Sequence, residues 1–296
     1  MTQTGFLGDK PVARIGFGAM QLAGAGVFGP PRDPDAARAV LRRAIALGVD
    51  HIDTSQYYGP DVVNALIHET LHPYPEGLRL VTKVGARRDD TGAWLPALRP
   101  DELRSGVEDN LRSLEVERMD LVNLRLMEEG EQGPDVPLAE QLGELDALRR
   151  EGKLDLIGVS NVSAGTLREA LQHADIAGVQ NAFSILDRSG EDVLELCIER
   201  DLSFVPFFPL GSAFTGGPRK LAADPAISAT ADKHGVTPSQ VALAWLLARD
   251  RRILLIPGTT SVEHLEENMA AGDVQLDDED LVLLETVVPG GNPLQS

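Results

Sequence analysis

The chain is nearly free of cysteine. Cys197 stands alone in an apolar stretch with Val193, Leu194, Leu196 and Ile198, so no intrachain disulfide can form and a reducing cytoplasm is the expected setting. A surplus of basic residues is also missing. The formal net charge is −19 and the pI about 4.6, which argues against nucleic acid or an anionic membrane as a partner, since both need a basic surface. A phosphorylated small molecule can still bind in a local pocket. No basic segment followed by an apolar one comes after Met1, and no apolar run reaches the length of a membrane span, so an unsecreted, soluble protein is expected. His68, His72, His173, His234 and His264 have no partners at metal-ligand spacing, and no metal site is expected. Low-complexity tracts, sequence repeats and linker-like breaks in composition are absent too. With 296 residues and 43% hydrophobic content, residues 1–296 are expected to form one large domain. Nothing in the sequence sets an oligomeric state.

What is present is a steady alternation. Eight short β-like runs, centred on residues 14–18, 49–53, 79–83, 120–124, 154–158, 179–181, 204–206 and 253–256, are separated by longer helix-like segments. Asp33 and Pro34 open a segment in which Ala37, Val40, Leu41, Ala44 and Ile45 share a face, and Gly48 ends it. Leu103, Val107, Leu111 and Leu114 form a stripe after Pro100. Thr237 and Gln240 read as a capping box ahead of Val241, Ala242, Trp245 and Leu246. Two helical segments in succession separate the seventh and eighth strands. Eight β/α units in this length fit an α/β chain of the (β/α)8 TIM-barrel class, with a doubly wound open sheet as the competitor. The longest connections, residues 21–32, 87–99 and 207–224, follow strands, and in a barrel they would lie on the catalytic face. Trp94 and Phe214 are candidate lid or substrate-wall residues, with plain packing as the alternative.

Four polar side chains stand at or just beyond the ends of apolar runs: Asp53, Tyr58 in the loop after it, Lys83 and Arg125. In a barrel of sequential βα units the second, third and fourth strands are neighbours, so their C-terminal ends bring Asp53, Lys83 and Arg125 together. Alone, Lys83 at a strand end reads as a solvated gatekeeper and Asp53 as a turn cap. Together with a phenol they suit reduction of a carbonyl, in which hydride arrives at carbon and the oxygen needs a proton or a strong hydrogen-bond donor. A tyrosine can supply both, but its ordinary pKa of about 10 is high, and a nearby cation that favours phenolate makes it a better reversible acid. Lys83 is the candidate cation, and Asp53 the carboxylate that compensates it. Tyr57 is read as a packing or lining residue, and His51, on the strand face of Asp53, as a polar filler of the barrel interior.

Gly16 through Met20, Asp53 through Gly59, Thr82 with Lys83, Gly158 through Asn161, Gln180 with Asn181, Pro209 through Gly211, and Ile256 through Thr259 followed by Glu267 and Asn268 together resemble the aldo-keto reductase family. The resemblance covers essentially the whole chain. It implies a (β/α)8 barrel, NADP(H) as cofactor, a small carbonyl compound as substrate, and a catalytic tetrad of Asp, Tyr, Lys and His. The first three fall on Asp53, Tyr58 and Lys83. The fourth falls on Arg125, a departure from the pattern: arginine stays protonated, so it can hold and polarise a carbonyl oxygen without shuttling a proton. Acid duty then belongs to Tyr58. A structural salt bridge is the other use of an arginine there. Asn123, Leu124 and Arg125, with Lys83 through Arg88 and Trp94 through Ala97, are similar to the branch that contains bacterial pyridoxal reductases. That likeness implies reduction of pyridoxal to pyridoxine, with Tyr58, Trp94, Asn123 and Arg125 as substrate contacts.

The resemblance also implies a cofactor site. Ser160, Asn161 and Gln180, near Asp53, would fix the nicotinamide carboxamide, with Phe207 stacked on the ring and Gly18 and Met20 at its border. Leu210, Gly211 and Ser212 would contact the pyrophosphate. Gly258, Thr259, Thr260, His264, Glu267 and Asn268 would surround the adenosine end. The family's usual Lys and Arg for the 2′-phosphate are replaced by Gly258 and His264, leaving the hydroxyls of Thr259, Thr260 and Ser261 beside a helix start. NADPH with weak discrimination against NADH is the resulting expectation. Gly24, Gly26 and Gly29 satisfy the dinucleotide fingerprint literally, but Pro30 and Pro31 follow where a helix must begin, so they are read as a flexible loop over the pocket. Asp277 through Asp280 are read as a helix N-terminus and solvated surface. Two other functions fit the residues: a reductase of another small aldehyde or a keto-sugar, and a catalytically weak NADP-binding regulatory protein. The intact Asp53, Tyr58 and Lys83 argue against the second.

Overall fold

Asp33 opens the first helix, α1 (Pro34–Ala46), by accepting from the backbone N–H groups of Asp35 at 3.1 Å and Ala36 at 3.0 Å. Pro34 takes the first helical position, where its missing N–H costs nothing. Ala37, Val40, Leu41 and Ala44 are buried along one face, and Gly48 turns the chain out at φ +88. The same logic repeats through the computed structural model, which describes residues 3–127, 136–211 and 216–289.

Strands β1 (Thr4–Leu7) and β2 (Lys10–Ala13) form an antiparallel hairpin. Next come β3 (Phe17–Gly18), β4 (His51–Asp53), β5 (Arg79–Val84), the hairpin β6 (Ala86–Arg88) and β7 (Trp94–Pro96), β8 (Met119–Arg125), β9 (Leu154–Ser160), β10 (Ile176–Ala182) and β11 (Ser203–Phe207). Strands β3, β4, β5, β8, β9, β10 and β11 lie side by side in that order in one seven-stranded sheet, every pair parallel. Strand order that follows chain order is a barrel's signature; a doubly wound sheet reverses direction midway. Residues 253–255 complete the cylinder. Ile253 bridges Phe204 of β11 and Leu255 bridges Ile15 just before β3, so one segment touches both edges. The chain is a (β/α)8 barrel.

Helices α2 (Val62–Leu71), α3 (Pro100–Leu114), α4 (Leu138–Arg150), α5 (Ala164–His173) and α6 (Glu191–Glu199) connect successive strands on the outside. Three helices, not the two expected, precede the last strand segment: α7 (Gly217–Ala223), α8 (Pro225–His234) and α9 (Pro238–Arg249). The extra one, α7, lies within the stretch read as a long loop. Its start at Gly217 and Pro218 carries no amphipathic signal. The N-cap of α9 is the expected box, with Thr237 and Gln240 each accepting from the other's backbone N–H. Then follow α10 (Val262–Ala270) and α11 (Asp278–Leu284). Asp277 caps α11 as expected, but Asp280 is not solvated: it is buried and pairs with Lys233 and His234, each at 2.7 Å.

The N-terminal hairpin was also unforeseen. It closes the barrel end away from the site: Ala13 N–H donates to Asp50 ahead of β4, and Ser203 at the start of β11 donates to Phe6 O. Leu7 and Val12 pack there on Val81, Leu121 and Leu254. His51 lies in the interior against Gly16, where a Cβ would come within 2.3 Å of its ring, which matches its reading as filler. Cys197 is fully buried, and burial pushes its thiol up to about 12, leaving it inert. Among the described residues no helix is long and apolar enough to cross a membrane.

Candidate active site

Parallel strands all end at one mouth, and alternation along each strand decides which side chains face inward. Asp53 ends β4 and Lys83 is the last residue but one of β5. Lys83 Nζ donates to Asp53 Oδ1 at 2.5 Å and to Thr54 O at 3.1 Å, with both side chains buried. A buried ion pair persists only where its remaining lone pairs are also met. Gln180 on β10 meets one, donating from Nε2 to Asp53 Oδ2 at 2.9 Å. Tyr58 is buried, with Lys83 Nζ 5.0 Å from its ring centre. Tyr57 stands edge-on to it at 5.4 Å and edge-on to Trp94 at 5.4 Å on its other side.

Burial lifts the Tyr58 phenol well above its ordinary value; the Asp53 carboxylate adds to the rise and the Arg125 guanidinium opposes it. Arg125 thus favours the Tyr58 phenolate, and the Lys83 ammonium stands beside the same ring. The Lys83 ammonium is itself met by the Asp53 carboxylate at 2.5 Å. Tyr57 is lifted too, by burial and then by Tyr58, against Lys83 and Arg125.

Arg125 ends β8, half-buried, with Nη1 donating to Ser160 Oγ at 3.5 Å and Cζ lying 5.3 Å from the centre of the Phe207 ring. The alternative of a structural salt bridge finds no carboxylate partner among the described residues. Asn123, two residues earlier, is buried and leans across Gly158, where a Cβ would meet its Oδ1 at 2.2 Å. It lines an interior cavity of about 20 Å³ together with His51, Asp53 and Gln180. Trp94 stands 39% exposed at the rim.

Of the residues expected around a dinucleotide, Ser160 and Phe207 end strands at this mouth. Ser160 is buried at the end of β9, and Asn161 follows at φ +60 with Nδ2 donating to Leu126 O at 3.1 Å. Gln180 Oε1 is buried without a hydrogen-bond partner among the described residues. Phe207 ends β11, Leu210 packs on the core, and Gly211 turns at φ +75. Gly18 and Gly258 let two backbones touch: a Cβ on Gly18 would come within 2.5 Å of Ile256 O, and one on Gly258 within 2.4 Å of Gly18 O. Met20 follows in a short 3-10 turn. Thr259 is buried and accepts from Ser261 N–H at 3.1 Å, while Ser261 caps α10 by accepting from His264 N–H at 3.3 Å. Thr260 and His264 are exposed, Glu267 is half-buried and Asn268 buried. Ser212 and Phe214 lie outside the described residues. The glycine-rich 24–29 loop begins no long helix; Gly24 N–H closes it on Gly29 O at 2.9 Å. Arg88 donates to Val27 O and Gly26 O of this loop, and Gly59 N–H to Val27 O.

One layer was missed by sequence reasoning. Thr54 and Thr82, next to Asp53 and Lys83, point to the barrel's outer side and enter a buried amide network. Thr54 Oγ1 donates to Asn64 Oδ1 at 2.8 Å, Thr82 Oγ1 to Asn110 Oδ1 at 2.6 Å, and Asn64 Nδ2 to Asn110 Oδ1 at 3.0 Å. Asn64 on α2 and Asn110 on α3 thus lock two catalytic strand ends to two helices. Their signal was available: each is an amide on the apolar face of an amphipathic helix. Asn110→Ala leaves buried donors short of an acceptor, and is expected to cost about 1–3 kcal/mol of stability, read as a lower urea midpoint with an unchanged slope.

The model of the Aldo/keto reductase family matches residues 14–288. The chain belongs to this family. It is 48% identical over 282 residues to the pyridoxine 4-dehydrogenase of Escherichia coli (strain K12), covering 95% of this chain and 96% of that one. It is 38% identical over 273 residues to an uncharacterized oxidoreductase of Schizosaccharomyces pombe, covering 92% and 86%. Among solved structures, an aldo/keto reductase from Klebsiella pneumoniae in complex with NADP and acetate superimposes with a TM-score of 0.81 at 26% identity, over 98% of this chain and 96% of that one. An aldo-keto reductase from the same organism in complex with NADPH gives 0.82 at 26% identity, over 100% and 98%. The chain is thus an oxidoreductase of the aldo-keto reductase type.

Proposed function

We propose that this chain is a cytoplasmic, NADPH-dependent aldehyde reductase, residues 1–296 acting as one domain, and that its substrate is pyridoxal, reduced to pyridoxine. The observation that carries the reading is the buried Tyr58 phenol beside the Lys83–Asp53 pair and within electrostatic reach of Arg125, in a chain so similar to a pyridoxine 4-dehydrogenase. The residues fit the cofactor. Gln180 Oε1 lacks a partner among the described residues while Nε2 is taken by Asp53, which leaves a buried acceptor for a carboxamide N–H. Ser160 and Asn161 would complete that contact, Phe207 would cover the ring beside Gly18 and Met20, and Leu210, Gly211 and Ser212 would follow the pyrophosphate. Gly258, Thr259, Thr260, His264, Glu267 and Asn268 would hold the adenosine end.

When bound, reduced nicotinamide supplies the hydride that the carbonyl carbon takes up. Tyr58 gives its phenolic proton to the carbonyl oxygen. Arg125 donates N–H to the same oxygen and stabilises the charge that gathers there. The Lys83–Asp53 pair holds the phenol's surroundings fixed, and Trp94 and Asn123 bound the space for an aromatic aldehyde. Pyridoxal carries a phenolic oxygen beside its aldehyde, and a planar guanidinium can serve both oxygens.

Loss of cofactor absorbance, followed with pyridoxal and with a panel of small aldehydes and keto-sugars, tests the reading. Pyridoxal is expected to give the highest kcat/KM. A better aldehyde or keto-sugar moves the substrate, and no turnover with any of them leaves a binding protein. Because the 2′-phosphate would meet the hydroxyls of Thr259, Thr260 and Ser261, with Gly258 and His264 in place of the family's usual Lys and Arg, NADPH is expected to bind about tenfold more tightly than NADH, a difference of roughly 1.4 kcal/mol. A fluorescence titration in which NADH binds more tightly refutes the preference.

A further inference from the structure

Arg88 sits outside the catalytic set, on the hairpin that follows β5, and its guanidinium makes four hydrogen bonds to three backbone carbonyls. Nε and Nη2 donate to Gly92 O at 3.0 and 2.6 Å, Nη1 to Val27 O at 2.8 Å, and Nη2 to Gly26 O at 2.9 Å. Its Cζ also lies 4.1 Å from the centre of the Trp94 ring and 5.3 Å from that of Phe28. Only an arginine carries enough donors in one plane to span such an array while stacking on aromatic faces.

The two segments it joins are each closed without it. The hairpin turn is held by Asp89 Oδ1, which accepts from the N–H groups of Thr91 and Ala93, both at 2.9 Å, and from Thr91 Oγ1 at 2.6 Å. The 24–29 loop is closed by Gly24 N–H on Gly29 O, and Gly59 N–H, next to Tyr58, donates to Val27 O at 3.2 Å. What Arg88 adds is the connection between them. From it runs a line of rings: Trp94, then Tyr57 edge-on at 5.4 Å, then Tyr58 edge-on at 5.4 Å.

We propose that Arg88 is a positioning residue for aromatic substrates: it clamps the 24–29 loop to the β6–β7 hairpin and so holds Trp94 against Tyr57 as a wall one ring beyond Tyr58. A flat ring entering the mouth meets that wall, whereas a short aliphatic aldehyde reacts at Tyr58 without reaching it. The proposal rests on the reading that the carbonyl is held at Tyr58. It assigns Arg88 no part in the chemistry and no contact with the cofactor.

Arg88→Leu and Arg88→Lys, made in the full chain, test it. With pyridoxal, Arg88→Leu is expected to raise KM about tenfold, with kcat within about threefold of wild type. KM for a short aliphatic aldehyde such as propanal and Kd for NADPH are expected to stay unchanged. Arg88→Lys keeps the charge but cannot span three carbonyls, and is expected to resemble Arg88→Leu. Acrylamide quenching of tryptophan fluorescence gives a second readout, because Trp245 is fully buried and Trp94 is not; both variants are expected to be quenched more strongly than wild type. Unchanged quenching, an equal KM change for both aldehydes, or full activity in Arg88→Lys overturns the proposal. A wild-type protein that reduces no aldehyde overturns the reading of the site instead, and quenching then decides whether Arg88 holds the wall.

Discussion

Tyr58→Phe is expected to lower kcat for aldehyde reduction by about 10²–10⁴-fold, the range for loss of a positioned acid, while Kd for NADPH stays within about twofold. The substitution removes only the hydroxyl. The ring keeps its edge contact with Tyr57, and the Lys83–Asp53 pair, held by its own bond and by Gln180, does not depend on the phenol. Tyr57→Phe is the control, expected to cost less than about tenfold. A large loss there and none at Tyr58 would transfer the acid role to Tyr57. The pH dependence follows from the direction of the shift. Burial first, and Asp53 next, raise the Tyr58 phenol above its ordinary value of about 10, so the proton is present across the neutral and mildly alkaline range. Reduction needs the protonated form, and its kcat is expected to be flat between about pH 6 and 9. Alcohol oxidation needs the phenolate, and its rate is expected to climb through the same window. A reduction rate that falls between those limits shows that another group governs the proton.

The sequence was most legible where one residue had both a periodic position and a chemical type. Asp53, Lys83 and Arg125 each close an apolar run, and a sheet whose order follows the chain carries them to one mouth. The eighth strand was readable from the apolar run at residues 253–256, although its pairing is reduced to single bridges on each side. Short elements were lost because four-residue or three-residue arms show too little alternation to register. The N-terminal hairpin still had a signal in Gly8 and Asp9, a two-residue turn between its strands. The amide network of Asn64 and Asn110 was hidden by the opposite cause: a helix read for its apolar stripe hides a polar residue inside that stripe. The fastening of the glycine-rich loop by Arg88 joins residues far apart in the chain, and no local pattern announces it.

Arg125→Met is expected to lower kcat by about 10²–10³-fold, the loss typical of one preorganised donor to a developing oxyanion, with Kd for NADPH within about twofold of wild type. The guanidinium is placed for this work. It is half-buried at the end of β8, lies over Phe207, and among the described residues has only the long 3.5 Å bond to Ser160 Oγ, so its N–H groups remain for a carbonyl oxygen. Methionine fills similar space against the Phe207 ring without charge, and the fold has no ion pair at Arg125 to lose among the described residues. Thermal stability should therefore change by no more than about 1 kcal/mol, separating a catalytic loss from a structural one. Arg125→Lys sharpens the test. It keeps the positive charge but not the planar fork. Charge alone would restore most of the rate, whereas polarisation by two directed N–H groups would leave Arg125→Lys closer to Arg125→Met. The second outcome is expected, because pyridoxal presents two neighbouring oxygens to the fork. Wild-type turnover in Arg125→Met would make the residue a bystander and leave Tyr58 as the sole polar contact of the carbonyl.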